Sequence, residues 1–395
     1  RSMSLIIPKK TAENGSNGPR EIPFQKKFTE AIVRHDWASF DPKGQELVEK
    51  VTSTASALIW HKCGTFEHHL TGVWAILSAW GQPLDCCRLG LFHSAYGNSF
   101  VAMRVFDIEK DREKLRDLIG ERAELLVHDF CTIDRQALED VVVKEGTVRA
   151  VGYMIHDIRS GKEVHVSQEF AWEMIMETLA DYVEQSTGWQ SDLELAGLLH
   201  GNLGDSLWPG LMKPTLRLSL CSKFALALRK SGIFEERLPE LFDNCTAFLS
   251  EEIEVEARDC YWSVVVGTNS SGTPMSTEER IEKLLRCSEL NPFVGEPHVL
   301  RAQLYLAEEK WTEARDAAEL GLKYLEILAT QWDKRMPFGA WVNWCRVLGF
   351  QASAKSWPKE HGGLESLGAT RPDMQFRELN DGLHIDQVKP PQTNL

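Results

Sequence analysis

Two histidines on the apolar side of helical patterns are the residues of this chain best suited to chemistry, because a neutral imidazole held away from water serves as a metal ligand or an acid–base group. In the segment Phe66-Glu-His-His-Leu-Thr-Gly-Val-Trp-Ala-Ile-Leu-Ser-Ala-Trp80, the residues Phe66, His69, Val73, Ile76 and Trp80 recur at steps of three and four. His69 therefore falls on the core stripe, and His68 is rotated about 100° away from it. In Cys87-Arg-Leu-Gly-Leu-Phe-His-Ser-Ala-Tyr-Gly97, His93 shares a helical face with Cys86 and Gly90, and the residues from Ser94 to Gly97 read as the helix end. His93 is expected at a helix C-terminus, facing inward.

The two segments resemble the HD superfamily of all-helical metalloenzymes, in which one helix supplies a first histidine, the next ends in His-Asp, and a later helix supplies another aspartate. The resemblance covers residues 55–205. It gives His69 the role of the first histidine and His93 that of the signature pair. It also implies a later acidic ligand, and in the segment 167–185 Phe170, Met174, Thr178 and Asp181 form one stripe. Asp181 is the implied third ligand, with Glu177 as its rival on a neighbouring face. The chain departs from the family at Ser94, which stands where the aspartate should be. A hydroxyl is a far poorer ligand than a carboxylate, which speaks against a dinuclear centre. His69, His93 and Asp181 make a two-histidine, one-carboxylate set, so the implied cofactor is one divalent ion: Fe, Mn or Zn. The same residues also suit a fold that has lost its metal and keeps the histidines as hydrogen-bonded core residues.

Two literal His-Asp dipeptides read as structural or surface residues. His128-Asp129 lies in a helix whose apolar face is Leu125, Leu126 and Phe130, with no helix end after it. His156-Asp157 lies in a β-hairpin that turns at Arg159-Ser-Gly-Lys162 and is a candidate lid or rim. An internal echo pairs Gly90-Leu-Phe-His with Gly197-Leu-Leu-His, which brings in His200. His200, His61 and Tyr96 are candidates to line the pocket as acid, base or substrate contact. Arg88, Arg104 and Arg135 are the nearest candidates for gripping an anion.

The chain has 395 residues, 43% of them hydrophobic and 13 of them Trp, enough for two domains and a substantial core. A formal net charge of −14 argues against general nucleic-acid binding, which needs a basic surface. Nine cysteines without a disulfide framework or a CxxC pair point to a reducing, cytoplasmic setting, and Cys86-Cys87 read as packing residues. No apolar run is long enough to span a bilayer, and no signal-peptide core stands near the N-terminus. Arg1-Ser2 reads as a cloning remnant ahead of Met3.

The expected fold class is mainly α: an HD-like helical bundle with a small β-hairpin, followed by a helical repeat-like domain. Residues 1–23 are polar and expected to be disordered, 24–208 form the HD-like domain, 209–352 the second helical domain, and 353–395 an extended tail rich in Pro and Gly. Between Glu278 and Tyr324 the chain resembles tetratricopeptide-repeat sequence, with Ala302, Tyr305, Ala314 and Gly321 at the positions where paired helices approach. Such units need stacked neighbours, so this one is expected to pack firmly on the first domain.

These features leave three classes of function. The preferred one is a metal-dependent hydrolase acting on a small phosphoester or related substrate through a metal-activated water. The alternatives are a mononuclear non-haem Fe(II) oxygenase and a binding or scaffold protein without turnover. The expected partners are a small-molecule substrate and a protein docked on the C-terminal helices, with neither nucleic acid nor membrane.

Overall fold

The structure is a computed structural model that describes residues 24–53, 58–61, 64–99, 104–185, 218–239, 241–244, 249–267, 273–333 and 336–357, with His61 described in its backbone only. The fold is mainly α. Helices α1 (Phe24–Arg34) and α2 (Gly44–Thr52) precede the paired short strands β1 (Trp60–His61) and β2 (Gly64–Thr65). Then come α3 (Phe66–Ala79), α4 (Leu84–Phe92), α5 (Arg112–Ile119), α6 (Glu121–Thr132) and α7 (Arg135–Glu145). The hairpin β3 (Tyr153–His156) and β4 (Glu163–Val166) leads into α8 (Gln168–Gln185). The remaining described helices are α9 (Leu218–Lys230), α10 (Leu241–Asn244), α11 (Glu251–Val266), α12 (Thr277–Leu290), α13 (Glu296–Ala307), α14 (Trp311–Leu328) and α15 (Phe338–Ala354).

Helices α3, α4 and α8 form the centre of the first bundle. The Thr65 hydroxyl caps α3 by accepting the His68 amide. Beyond that cap α3 is buried on nearly every side, as suits a central helix. Gly90 lets α4 lie against α3, because a Cβ there would stand 2.5 Å from Leu77 Cδ1. That close approach brings the inward faces of the two helices together. Helix α4 ends at Phe92 with His93 as its C-cap, as the sequence indicates. The hairpin also lies where the sequence places it, pairing Tyr153 with Val166 and His156 with Glu163. The Asp157 carboxylate holds its turn by accepting the Arg159 and Ser160 amides at 2.9 and 2.7 Å. Cys87 is a packing residue, its thiol pushed up to about 12 by burial.

Two apolar cores are present, and they divide the chain differently from the expected boundary at 208/209. Cys221, Phe224 and Leu228 of α9 belong to the first core, and Trp172 Nε1 donates to the Leu228 carbonyl at 3.3 Å. The first core runs through Leu249 and also takes in Phe293, Ile327, Leu328 and Ala329 from the C-terminal helices. The second runs from Ala257 to Ala352. A Pro/Gly-rich stretch marks where the chain turns, whereas core membership follows the face on which a helix finds apolar partners. The Pro/Gly-containing stretch 205–214 at the expected boundary, the N-terminal 23 residues and the tail beyond 357 lie outside the described residues. Among the described residues, no helix is long and apolar enough to cross a membrane.

In the second core, α13 and α14 pack closely through Ala302, Ala314 and Gly321, with Val299 Cγ2 only 2.9 Å from a Cβ placed on Gly321. Glu296 opens α13 and is fully buried; its Oε1 accepts the Trp332 and Asp333 amides at 2.6 and 3.0 Å. Burial and the nearby Asp333 push its pKa up to about 7, although the two amides oppose the shift. A raised pKa means that the folded state holds the proton more tightly than the unfolded one. The resulting stability is fully present below the ordinary glutamate range and is lost as pH rises through about 7. Glu296→Gln should therefore gain stability relative to the parent by up to about 3 kcal/mol between pH 5 and 8. Urea denaturation at both pH values checks this, and parallel pH profiles for the two proteins would contradict it.

Candidate metal centre

Each side chain of the centre comes from a different central helix. His69 projects from the first turn of α3, His93 caps α4, and Asp181 lies in the last turn of α8. All three are buried, at 3, 2 and 5% exposure. His69 Nε2 lies 3.3 Å from His93 Nε2 and 3.4 Å from Asp181 Oδ1, and one ligand atom from each residue falls within 4.8 Å of the others. Ligand bonds of about 2.1 Å at angles of about 90–110° leave ligand atoms about 3.0–3.4 Å apart. The two separations measured from His69 lie in that range.

The surroundings fix which ring nitrogens carry protons. His93 Nδ1 lies 2.8 Å from the Gly90 carbonyl, which can only accept, so in the neutral ring Nε2 bears the lone pair. Burial lowers the His93 pKa to about 3, which keeps the ring neutral. His69 Nδ1 lies 2.6 Å from Glu184 Oε2, so a ring protonated only there turns its Nε2 lone pair toward the centre. In that tautomer two lone pairs and a carboxylate oxygen converge. The Gln185 amide reaches both Asp181 Oδ1 and, at 3.4 Å, His69 Nε2. Three acceptors facing one another repel unless a cation lies between them. The buried group can hold a metal ion.

A second layer of residues orients these ligands. Arg135 is buried behind Asp181, with Nη2 3.5 Å from Oδ2 and 3.2 Å from Thr178 Oγ1, and its guanidinium lies 4.0 Å from the Phe130 ring centre. Arg135 therefore holds the ligand carboxylate. Among the arginines expected from sequence to grip an anion, it is the one that meets Asp181. Glu177, the rival to Asp181, stands on the far side of His93, 3.3 Å from Nδ1. Burial and the Asp181 charge raise its pKa well above the ordinary range, which keeps it protonated.

Several candidate residues are placed elsewhere. The Tyr96 hydroxyl donates to Glu124 Oε1 at 2.9 Å, inside an ion pair between Glu124 and Arg112, so it is engaged away from the three ligands. Its proximity to His93 in sequence misleads because the helix has ended and the chain turns between them. Ser94 accepts from Asn98 at 3.1 Å. Arg88 pairs with Asp41 at 2.6 Å and donates to the Ile119 carbonyl. His128 faces Asp129, and the hairpin tip touches the loop after His93 through Arg159, which donates to the Tyr96 carbonyl at 2.6 Å. The His61 side chain and all of His200 lie outside the described residues.

Glu184 and Gln185 were not among the sequence candidates. Their signal was available, since they follow Asp181 by three and four residues and so share its side of α8. Gly72 makes room for Glu184, because a Cβ there would stand 2.9 Å from Glu184 Cγ.

The fold and site thus define a mainly α protein with a buried two-histidine, one-carboxylate group able to hold one metal ion. Residues 50–135 match a family described as a domain of unknown function, DUF6817, a span that contains both histidines and stops short of Asp181. No curated protein and no solved structure matches the chain.

Proposed function

We propose that the chain is a metal-dependent hydrolase, divergent from the HD superfamily, that acts on a small phosphoester or related substrate. The observation that carries this reading is the convergence of His69, His93 and Asp181, each offering one ligand atom to a common centre. A divalent ion bound there supplies an activated water and a Lewis acid. The protein residues do the positioning. Glu184 accepts the Nδ1 proton of His69, the Gly90 carbonyl does the same for His93, and Arg135 and Thr178 hold Asp181 in place. Such outer partners keep the ligand tautomers correct and raise ligand basicity. Free cysteines among the described residues fit a reducing, cytoplasmic setting. Exposed Leu320, Val347 and Phe350 on α14 and α15 offer a surface for a protein partner.

A second reading, a mononuclear Fe(II) oxygenase, is favoured by the ligand types. With Ser94 bonded to Asn98, the set is two imidazoles and one carboxylate, which suits non-haem iron. Elemental analysis of protein purified without added metal separates the readings. Manganese or zinc near one ion per chain, with hydrolysis of bis(p-nitrophenyl) phosphate that is lost on chelation, supports the hydrolase. Iron without hydrolysis supports the oxygenase. Protein that neither carries nor takes up metal overturns both and leaves the scaffold.

A further inference from the structure

A cleft of about 610 Å³ lies between the two cores and has His69 in its wall. Trp37, His68 and Glu184 face it from the first half of the chain, and Thr330, Gln331 and Phe338 from the second. Part of the wall is an ordered aromatic stack. The His35 ring lies 5.3 Å from Trp37 with 22° between planes, and Trp37 lies 5.6 Å from Trp74 with 24° between planes. His35 follows the last residue of α1 in the left-handed region, with φ of 53°. A non-glycine residue there carries a strain on the order of 1 kcal/mol or more, and such strain collects at ligand-facing positions.

Glu184 is the one carboxylate among the described lining residues, and no Lys or Arg is among them. Its Oε2 accepts from His69 Nδ1, its side chain keeps 17% exposure, and Oε1 accepts no hydrogen bond from the described residues. A carboxylate oxygen open to a cleft with aromatic walls is suited to a cation. An ammonium donates a charge-assisted hydrogen bond to the oxygen, and the apolar walls cover the rest of its body. The net charge of −14 favours approach of the same sign of ligand.

We propose that this cleft binds a small organic ammonium ion with an apolar body, its head on Glu184 and its body against Trp37 and Phe338. The ion pair to Glu184 selects charge, and the aromatic walls select shape. Of the three metal ligands only His69 lines the cleft, and Glu184 bonds to its Nδ1. The test is therefore made with the centre stripped of metal.

Calorimetric titration of the full chain after chelator treatment, at pH 7, compares 2-phenylethylamine, 2-phenylethanol and phenylacetate. The amine should bind about tenfold to a hundredfold tighter than the alcohol, the difference expected of one charge-assisted hydrogen bond, and phenylacetate weakest of the three. Glu184→Gln should erase the advantage of amine over alcohol. Phe338→Leu, far from the metal ligands in sequence and on the opposite wall, should weaken amine and alcohol alike and keep the comparison valid if Glu184→Gln fails to fold. No binding of any probe, equal or tighter binding of the alcohol or the carboxylate, or an amine advantage that survives Glu184→Gln would overturn the proposal. Metal content measured before chelation reports on the hydrolase reading separately, so either idea can fail alone.

Discussion

His69→Ala and His93→Ala should each abolish metal retention, whereas His68→Ala and His128→Ala should leave it largely intact. His69 and His93 supply two of the three converging atoms, 3.3 Å apart and almost fully buried. Their loss leaves Asp181 with one partner ligand at most. His68 is the preceding residue of α3, yet it is exposed and faces the cleft, and His128 is paired with Asp129. Elemental analysis of the four purified variants checks this against the parent. Removing a buried imidazole can change folding as well as binding, so melting curves accompany the metal measurement. Equal metal loss in all four, with unchanged melting, would show that this group is not the site.

Phe293→Ala should destabilise both halves of the molecule together, by about 3–5 kcal/mol, in one unfolding transition. Phe293 follows α12 in the second half of the chain, but its ring is buried in the first core with Ile327 and Leu328. Further contacts cross the same seam. Trp80 Nε1 donates to the Ile327 carbonyl at 3.2 Å, and Arg346 of α15 pairs with Glu30 of α1. Helix α1 itself has Phe28 and Ala31 in the first core and Ile32 and Val33 against the second. Cores that share side chains lose contacts on both sides when one is truncated. Urea unfolding followed by tryptophan fluorescence and by far-ultraviolet circular dichroism should give coincident midpoints in the parent and the variant. Two separated transitions, with only one moved by the substitution, would contradict the shared core.

The inward phase of His69, the outward phase of His68, the helix end at His93 and the hairpin at 153–166 were all legible in the sequence. Each depends on neighbours within a few positions, through the helical repeat, the alternation of a strand or the chemistry of a turn. Asp181 was legible in its phase alone, and its choice over Glu177 needed the family resemblance. Its neighbours Glu184 and Gln185 shared that phase but stood out only once His69 was seen beside them.

Contacts between distant residues depended on the tertiary structure. Periodicity says which face of a helix turns inward but not how far along the helix its partner lies. Gly90 sets that offset by letting α4 settle against Leu77, which brings two histidines 24 positions apart to 3.3 Å. The same limit hid the use of Arg88 by Asp41, of Tyr96 by Glu124 and of Arg135 by Asp181. It also hid the membership of α9 and Phe293 in the first core. Local order determined the helices and the inward faces of the two histidines. The convergence of the three ligands, the roles of the charged residues around them and the cleft between the cores came only from packing across more than a hundred residues, where side-chain shape decides which apolar faces meet.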